Sequence, residues 1–490
     1  MSSSVLVIDV GTSGLRAAIV RADASVHHMH YRAFAPSSPF PGLVEFDASE
    51  MARLVLEVAH LALRDGGPVA SVGITTQRAS TVMWDASTGQ PLAPALGWQD
   101  LRTVMECIMA KAEHGLGLAP NQTATKAQWL LNNVPGARER DIRLGTVDSW
   151  IAYVLSNGAL HVTDHTNAAV TGLAEMIDGS PRWHERACAA LNIPMSALPA
   201  MVDSYGHIGE ATALPGSPPI TAMSGDQQAS LFGQSCVRRG MAKCTFGTGG
   251  MLNVCLDGTP PGTSARATHG TFPIVARSSR GELVWGSEAI MLSAGTNIEW
   301  LVDDLGILTD AAQSHEVASQ CETSDGVVYV PALLGLGTPH WDYGARGTLL
   351  GITRGSGRPQ IVRAVLEGIA HRGADLLESV EADHPDIHVD SLRVDGGMSR
   401  NPTFVQALAD ACGRPVEVSP VTEATTLGAA FMSGLASGVW GSLDEVEAAW
   451  SPLVTVHPDD RTDRALARAT WDRAVTRAAG WIPDLSSLDF

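Results

Sequence analysis

An apolar strand followed by an acidic residue and a turn of glycine and threonine occurs in both halves of this chain. In the first half, residues 5–14 run from an apolar strand through Asp9 into a Gly-Thr-Ser-Gly turn. The second occurrence starts with Asp226 at the end of an apolar stretch late in the first half and continues with a Gly-Thr-Gly-Gly turn at residues 247–250, and residues 395–397 form a third glycine turn. Glycine lets backbone N–H groups approach an anion, threonine adds hydroxyl donors, and the acids can hold a metal ion. The pattern predicts a nucleoside triphosphate site shared by the two halves.

Length and pattern predict an α/β protein of two domains. A chain of 490 residues is too long for one ordinary core. Apolar runs rich in β-branched residues alternate with segments of helical spacing, and this pattern restarts near residue 240. The apolar runs around residues 247–250 repeat those around residues 11–14, which indicates a structural duplication. We therefore expect domains at residues 1–240 and 241–490.

The same patterns place individual helices and strands. The predicted helices include residues 51–64, 127–133, 147–155, 289–305 and 360–377, and the predicted strands include residues 5–8, 17–20, 69–74, 241–246, 251–256 and 392–395. Asn401 as N-cap, Pro402 at the first helical position and Gly413 just past the end predict one further helix.

Composition limits the partners that this chain can have. Its formal net charge of −19 repels polyphosphates and anionic membranes, and no basic stripe offers nucleic acid the phosphate contacts that it needs. A bound triphosphate must therefore be held by local donors and a cation, for which Mg²⁺ is the expected ion. Seven cysteines without a CxxC pair are typical of a reducing compartment. With neither a basic leader nor 18 consecutive apolar residues, we expect a cytoplasmic protein without a membrane segment.

Other nucleotide-binding and metal motifs are not supported by the sequence. None of the three lysines follows a GxxxxG loop, which excludes a Walker A site. The H-R-D and D-F-G motifs of protein kinases and the GxGxxG of dinucleotide sites are also missing. His161, Asp164 and His165 imitate a metal cluster, but an extended or turn segment need not bring them together. A structural polar turn is the favoured interpretation there.

A series of short motifs gives the chain its resemblance to a known family. The motifs are, in order, Asp9-Val10-Gly11-Thr12-Ser13, Thr76-Gln77-Arg78, Trp98-Gln99, Gly145-Thr146-Val147-Asp148, Val162-Thr163-Asp164, Gly225-Asp226-Gln227-Gln228, Gly247-Thr248-Gly249, Pro339-His340-Trp341-Asp342, residues 347–352 and Asp395-Gly396-Gly397. With these motifs in this order, the chain resembles the FGGY carbohydrate kinases nearly end to end. The resemblance implies two actin-like, ribonuclease-H-like ATPase domains with the active site in the cleft between them. It also implies ATP and Mg²⁺ as cofactors, a small polyol or sugar as substrate, and a homodimer.

The resemblance assigns roles to single residues in the transfer of a γ-phosphoryl group to an alcohol. It implies that Asp226 is the catalytic base and that Asp9 and Asp226 hold the metal. The implied nucleotide and phosphate contacts are Gly11, Thr12, Ser13, Arg16, Gly247, Thr248, Gly249, Gly295, Gly397 and Asn401. The implied acceptor contacts are Arg78, Trp98, Asp226 and Gln227. Helix capping alone is the alternative for Asn401, and close packing of helices is the alternative for Gly295.

Departures from the family pattern concern the acceptor. The chain is most similar to the glycerol kinases of the family, but Ala79 and Asn121 stand where these carry a Glu and a Tyr that touch glycerol. Other positions, in the first glycine turn and at residues 98–102, are closer to xylulokinases. At Ala79, a methyl group in place of a carboxylate removes a hydrogen-bond partner that would orient the acceptor, and it opens space in the acceptor site. We therefore expect a kinase of a small polyol or ketose, with glycerol as the runner-up and a nucleotide-switched actin-like binding protein as the non-catalytic alternative.

Overall fold

The computed structural model describes residues 3–176, 178–260, 266–421, 423–461 and 463–487. The strands up to residue 225 are β1 (Ser4–Val10), β2 (Gly14–Arg21), β3 (Val26–Ala33), β4 (Glu45–Phe46), β5 (Ser71–Thr76), β6 (Val82–Asp85), β7 (Ala95–Leu96), β8 (Ile142–Gly145), β9 (Val162–Asp164), β10 (Ala174–Glu175), β11 (Arg182–Trp183), β12 (Ala200–Val202), β13 (Tyr205–Glu210) and β14 (Pro219–Gly225). The later strands are β15 (Ala242–Phe246), β16 (Gly250–Cys255), β17 (Phe272–Ser279), β18 (Glu282–Met291), β19 (Val328–Val330), β20 (Thr348–Leu350), β21 (Leu392–Asp395), β22 (Val416–Val418) and β23 (Val454–Val456).

Helices connect and cover these strands. They are α1 (Ala48–Gly66), α2 (Val104–His114), α3 (Thr123–Asn133), α4 (Val147–Leu155), α5 (His165–Ala168), α6 (Glu185–Ala190), α7 (Asp226–Gly233), α8 (Thr296–Glu299), α9 (Gln313–Ala318), α10 (Arg358–Asp383), α11 (Pro402–Cys412), α12 (Ala424–Ser437), α13 (Leu443–Ala448), α14 (Arg464–Ala478) and α15 (Pro483–Ser486). None of the helices in the described part of the chain has the length and apolar character that crossing a bilayer requires.

The first large sheet brings the ends of three parallel strands together. Its order is β13-β14-β5-β1-β2-β3, with β1 and β14 each parallel to β5. Val10 and Gly225 both lie opposite Thr76, so β1, β5 and β14 end at one edge. Asp9 and Asp226 therefore lie at the same edge, two strands or roughly 10 Å apart. This arrangement places both predicted acids at the carboxyl ends of strands, where ligands of open α/β sheets bind.

The second large sheet repeats the first. Its order is β17-β18-β16-β15-β21-β22-β23, and the run from β18 to β23 has the same parallel and antiparallel neighbours as the run from β3 to β13. Each sheet thus contains a hairpin that is closed by a three-residue turn. Strands β1 and β2 form it in the first sheet, and β15 and β16 form it in the second. The predicted structural duplication is confirmed by this topology.

Two helices join the sheets through a contact between their backbones. A Cβ atom on Gly233 of α7 would lie 1.9 Å from the Ala424 carbonyl oxygen, and one on Gly428 of α12 would lie 1.8 Å from that of Ala229. Only glycine allows so close a crossing. Although α12 belongs to the C-terminal half, it packs on the first sheet. The domain division at residue 240 stays a proposal; it falls between the two sheets in sequence.

Most of the predicted helices are present, and one prediction is wrong. Residues 289–305 do not form one helix, because residues 289–291 complete the buried strand β18. A short helix, α8, and a π-helical turn at Trp300–Asp304 follow. A short apolar run fits a buried strand as well as a helix, so periodicity alone could not separate the two. The helix predicted from Asn401 is α11, with Asn401 as its N-cap and Gly413 as its left-handed C-cap.

Candidate active site

Asp9 is a buried carboxylate at the end of β1. It is 4% exposed, and its Oδ2 accepts a 3.1 Å hydrogen bond from the Thr426 hydroxyl and lies 3.5 Å from Arg16 Nε. Burial raises the pKa of Asp9, Arg16 and Thr426 oppose this rise, and the charge of Asp226 adds to it. The two predicted acids therefore influence each other electrostatically, as expected for groups that face one site.

Arg16 is held between carboxylates from both halves of the chain. It forms an ion pair with Glu423, which directly precedes α12, and it also lies beside Asp9. Its Nε is buried and has no hydrogen-bond partner among the described residues. The family resemblance implied Arg16 but gave no sign of Glu423 or Thr426, because both reach the site only when α12 packs on the first sheet.

The first glycine turn combines predicted phosphate and acceptor residues. The Gly11 N–H donates to the Gly14 carbonyl (2.9 Å), so it closes the turn and is not free for a phosphate. Trp98 Nε1 donates to Thr12 Oγ1 at 3.0 Å, which links the two predicted groups. Because an indole N–H is only a donor, the Thr12 hydroxyl keeps its own proton for another acceptor. Ser13 is exposed beside it.

Asp226 begins α7 and remains accessible. Its side chain is 30% exposed, its Oδ1 accepts a 2.8 Å hydrogen bond from the Gln227 N–H, and Arg78 Nε lies 3.6 Å away. Burial raises the pKa of Asp226, whereas the charges of Arg78 and Lys243 oppose this rise. A reachable carboxylate of raised basicity fits the role of a proton acceptor.

Arg78 contacts a carboxylate that the sequence interpretation missed. Its Nη2 donates to Glu288 Oε1 (3.2 Å) and Oε2 (3.0 Å), and Asn253 Nδ2 donates to the same Oε2 (2.9 Å). Glu288 is 5% exposed and comes from β18 of the second sheet, so this ion pair crosses between the halves. The available signal was a carboxylate within the mostly apolar stretch from Leu283 to Met291.

Lys243 is a second missed charge at the site. Its Nζ donates to Gln227 Oε1 (2.8 Å) and to Thr245 Oγ1 (3.0 Å), and its side chain is fully buried. Burial lowers the pKa of Lys243, and the nearby acids Asp395, Glu288 and Asp226 oppose this. The ammonium group thus fixes the amide of Gln227, the predicted acceptor residue next to Asp226.

The second glycine turn packs against the loop that contains Gly295. The Gly295 N–H donates to the Gly247 carbonyl (2.8 Å), and a Cβ on Gly295 would lie 2.6 Å from that oxygen. Gly249 likewise has no room for a side chain, since a Cβ there would lie 2.8 Å from the Met291 carbonyl oxygen. Thr248 at the tip is exposed. Gly295 therefore allows a close approach of backbones, and the exposed turn is left to contact a ligand.

Gly397 and Asn401 lie beyond the end of β21 but differ in their surroundings. Gly397 is exposed, and a Cβ there would meet nothing within 4 Å. Asn401 accepts a hydrogen bond from the Phe404 N–H (3.1 Å) and donates one to Ser314 (2.9 Å). Both ends of its amide are thus used within the protein, which supports the capping alternative.

His161, Asp164 and His165, which imitate a metal cluster in the sequence, make structural hydrogen bonds. His161 bonds to the Leu144 carbonyl (2.9 Å), whereas His165 bonds to Ser278 (2.8 Å). Asp164 caps α5. In the described part of the chain, no group of three or more His, Cys, Asp or Glu residues could hold a metal ion. These three side chains therefore have separate structural partners.

The structure has two lobes of equal topology, each formed around one of the large sheets, and α7 and α12 join them. Acids and glycine turns lie at the ends of their strands. These features define an actin-like ATPase fold suited to phosphoryl transfer. Family models agree with this class: the N-terminal domain model of the FGGY family of carbohydrate kinases matches residues 4–233, and the C-terminal domain model matches residues 242–437. The chain belongs to the FGGY family of carbohydrate kinases.

Individual relatives and structures cover the chain almost completely. A glycerol kinase of Aromatoleum aromaticum is 41% identical over 98% of this chain and 99% of its own length. The crystal structure of Plasmodium falciparum glycerol kinase with ADP is 28% identical, with a TM-score of 0.90 over 97% of this chain and 98% of that one. The ligand-bound xylulose kinase of Lactobacillus acidophilus, 18% identical, shares the fold with a TM-score of 0.85 over 99% of this chain and 98% of that one. This chain is an ATP-using phosphotransferase that acts on a hydroxyl group of a small sugar or polyol.

Proposed function

We propose that this chain transfers the γ-phosphoryl group of ATP to a hydroxyl of a small polyol, with glycerol as the first acceptor. The observation that carries the proposal is the partly exposed Asp226 carboxylate, paired with Arg78 and electrostatically coupled to the buried Asp9. We infer glycerol as the acceptor because relatives of this chain are glycerol kinases. Those of Aromatoleum aromaticum and Deinococcus radiodurans are 41% and 38% identical to it.

In this proposal Asp226 accepts the proton of the attacking hydroxyl. Its raised pKa favours proton transfer, and the charge of Arg78 opposes the rise. Arg78 and Gln227 donate hydrogen bonds to the acceptor oxygens, and Trp98 covers its carbon face. The hydrogen bond from Trp98 to Thr12 sets the acceptor side and the phosphate side at a fixed spacing. Fixed spacing of the reacting groups is the main contribution that such a site makes to phosphoryl transfer.

The phosphates would lie between the two glycine turns. Thr12, Ser13 and Thr248 supply hydroxyl donors, and Arg16 supplies a cation next to Asp9. Gly247 and Gly249 let the backbone approach the phosphates, and Gly397 leaves room for the nucleoside. Gly295 supports the turn at residues 247–249, and Asn401 supports the start of α11.

Mg²⁺ fits the donor set at this site. Asp9 and Asp226 offer carboxylate oxygens, and the charge of Asp226 disfavours ionisation of Asp9, a repulsion that a cation relieves. Mg²⁺ in kinase sites needs only one or two carboxylates beside substrate phosphates and waters. When bound, it would neutralise charge that develops on the transferred phosphoryl group. A cytoplasmic location and a homodimer are further proposals, which rest on the cysteine usage and on the family.

A larger polyol or a ketose is the second candidate acceptor, and Ala79 favours it. Ala79 is buried, follows Arg78 and has a left-handed backbone with φ of 63°. Its methyl group offers no hydrogen bond where a carboxylate would orient a hydroxyl.

A screen of purified enzyme decides between the acceptors. Glycerol, four- and five-carbon polyols and ketoses are supplied with Mg·ATP, and ADP release is measured at several concentrations of each. The proposal predicts the highest kcat/KM for glycerol. A clearly higher kcat/KM for a five-carbon acceptor would select the second candidate, and acceptor-independent ADP release alone would leave only the nucleotide-switched alternative.

A further inference from the structure

A chain of buried hydrogen bonds reaches the backbone just before Asp226. The Gly225 N–H donates to Thr166 Oγ1 at 2.8 Å, and the Thr166 hydroxyl donates to Asp164 Oδ1 at 2.9 Å. Thr166 and Asp164 have no exposed surface. Because Gly225 immediately precedes α7, whose first residue is Asp226, the Thr166 hydroxyl fixes the peptide next to the catalytic carboxylate.

The direction of these hydrogen bonds is set by Asp164. A carboxylate only accepts, so the single hydroxyl proton of Thr166 points to Asp164 and its lone pair faces Gly225. Asp164 also accepts from the Thr166 N–H (3.0 Å), from the N–H and side-chain amide of Asn167 (3.1 and 2.9 Å), and from the Ser204 hydroxyl (2.8 Å). Five donors thus hold this carboxylate in one orientation.

The network is anchored in the second sheet. The Ser204 N–H donates to Ser278 Oγ (2.9 Å), and the Ser278 N–H donates to Ser204 Oγ (3.1 Å). Ser278 lies in β17, and both serines are fully buried. A continuous path of hydrogen bonds therefore runs from β17 through Ser204, Asp164 and Thr166 to the peptide before Asp226.

We propose that Thr166, oriented by Asp164, is a positioning residue for the catalytic base. The proposal rests on the assignment of Asp226 as that base. A displaced reacting group can lower the rate of a chemical step by about 100-fold per ångström, so a loose Gly225 peptide would reduce turnover without weakening nucleotide binding.

The test compares Thr166→Val with a matched control. Thr171 is likewise buried, donates to a backbone carbonyl (Ala168, 2.7 Å) and accepts from a backbone N–H (Leu173, 3.0 Å), but these bonds do not lead to α7. For T166V we expect kcat to fall about 10- to 100-fold while KM for ATP changes less than about twofold. T166S, which keeps the hydroxyl, should restore kcat, and T171V should retain it. Equal kcat values for T166V and T171V would overturn the proposal.

Hydrogen exchange gives a second readout that does not depend on activity. T166V should accelerate amide exchange in peptides covering residues 219–226, and T171V should not. If T166V does not fold, S204A, which removes one donor to Asp164, should accelerate exchange in the same peptides. Unchanged exchange there would contradict the proposal. If the wild-type enzyme phosphorylates no acceptor, the proposed function fails, and the exchange result alone decides the positioning role.

Discussion

At the scale of single residues, Arg78 lies between acids from the two halves of the chain. Arg78 lies 3.6 Å from Asp226 and 3.0 Å from Glu288. Arginine stays charged in proteins, so it opposes the rise that burial causes in the pKa of Asp226. The net shift of the Asp226 pKa is upward, which makes its carboxylate more basic than that of an exposed aspartate.

The buried Asp148 predicts a measurable pH dependence of stability. Burial, together with the nearby Asp164, raises the pKa of Asp148 from 3.8 to about 7. Between these values the folded state keeps a proton that the unfolded state has lost, so the free energy of unfolding falls as pH rises. The full contribution is at most about 4 kcal/mol. We expect Asp148→Asn, which cannot ionise, to gain several degrees in Tm relative to wild type between pH 5 and pH 8.

The control for this prediction is Asp390→Asn, whose side chain is 96% exposed. Its Tm should follow that of wild type at every pH. Thermal unfolding monitored by calorimetry provides the comparison. A constant difference in Tm between D148N and wild type across the pH range would show that Asp148 does not cause the dependence.

The sequence located the charged residues that stand in motifs and missed those that depend on packing. Asp9 lies at the end of one strand, and Asp226 and Arg78 follow two others that end at the same edge. Each of these strands could be recognised from its apolar run. Glu288 and Lys243 acquire their roles from partners far away in the chain, and no local pattern encodes such pairs. Asn401 has a readable capping signal, which the start of α11 confirms, and its assignment to the nucleotide stays a prediction.

At the scale of secondary-structure elements, the crossing of α7 and α12 holds the two sheets together next to the site. Gly233 and Gly428 lie at equivalent places, each against the backbone of the other helix. Helix α7 begins at Asp226, and α12 is flanked by Glu423 and carries Thr426, which contact Arg16 and Asp9. A shift of either helix would therefore move both ends of the site.

Gly428→Ala is expected to damage both stability and activity. The new methyl group would lie 1.8 Å from the Ala229 carbonyl oxygen, so the helices must separate. We predict a fall in Tm of several degrees and a loss of most acceptor-dependent ADP release. Gly438→Ala in the C-cap of the same helix is the control: it has φ of 81° but open space around its Cβ, so backbone strain of about 1 kcal/mol is its main cost. If both variants lowered Tm equally, the close crossing would not be the cause.

Elements with a clear local signal were predicted well, and those without one were not. The capped helix after Asn401 and the long helix near residues 360–377 have strong signals at their ends or in their periodicity. The segment at residues 289–305 was assigned to a helix because an apolar run continues from β18 into α8. Only the pairing of β18 with β16 decides that its beginning is a strand.

At the scale of the whole molecule, the duplicated strand order explains why the site is shared. Each lobe supplies one hairpin with a glycine turn, and the helices that follow β14 and β22 cross at the junction. The duplication was readable from the two strand and turn patterns. The crossover of α12 onto the first sheet was not, because the signal for that contact is the small size of two glycines 195 positions apart.

The central claim is that Asp226 takes the proton of the acceptor hydroxyl, and Asp226→Asn tests it most directly. ATP binding is measured by calorimetry, and acceptor-dependent ADP release is measured in parallel, with Asp141→Asn, whose side chain is 77% exposed, as the control. We predict that D226N retains ATP binding while its turnover falls by about 100- to 10,000-fold, and that D141N matches wild type in both. Turnover of D226N at the wild-type rate would contradict the account.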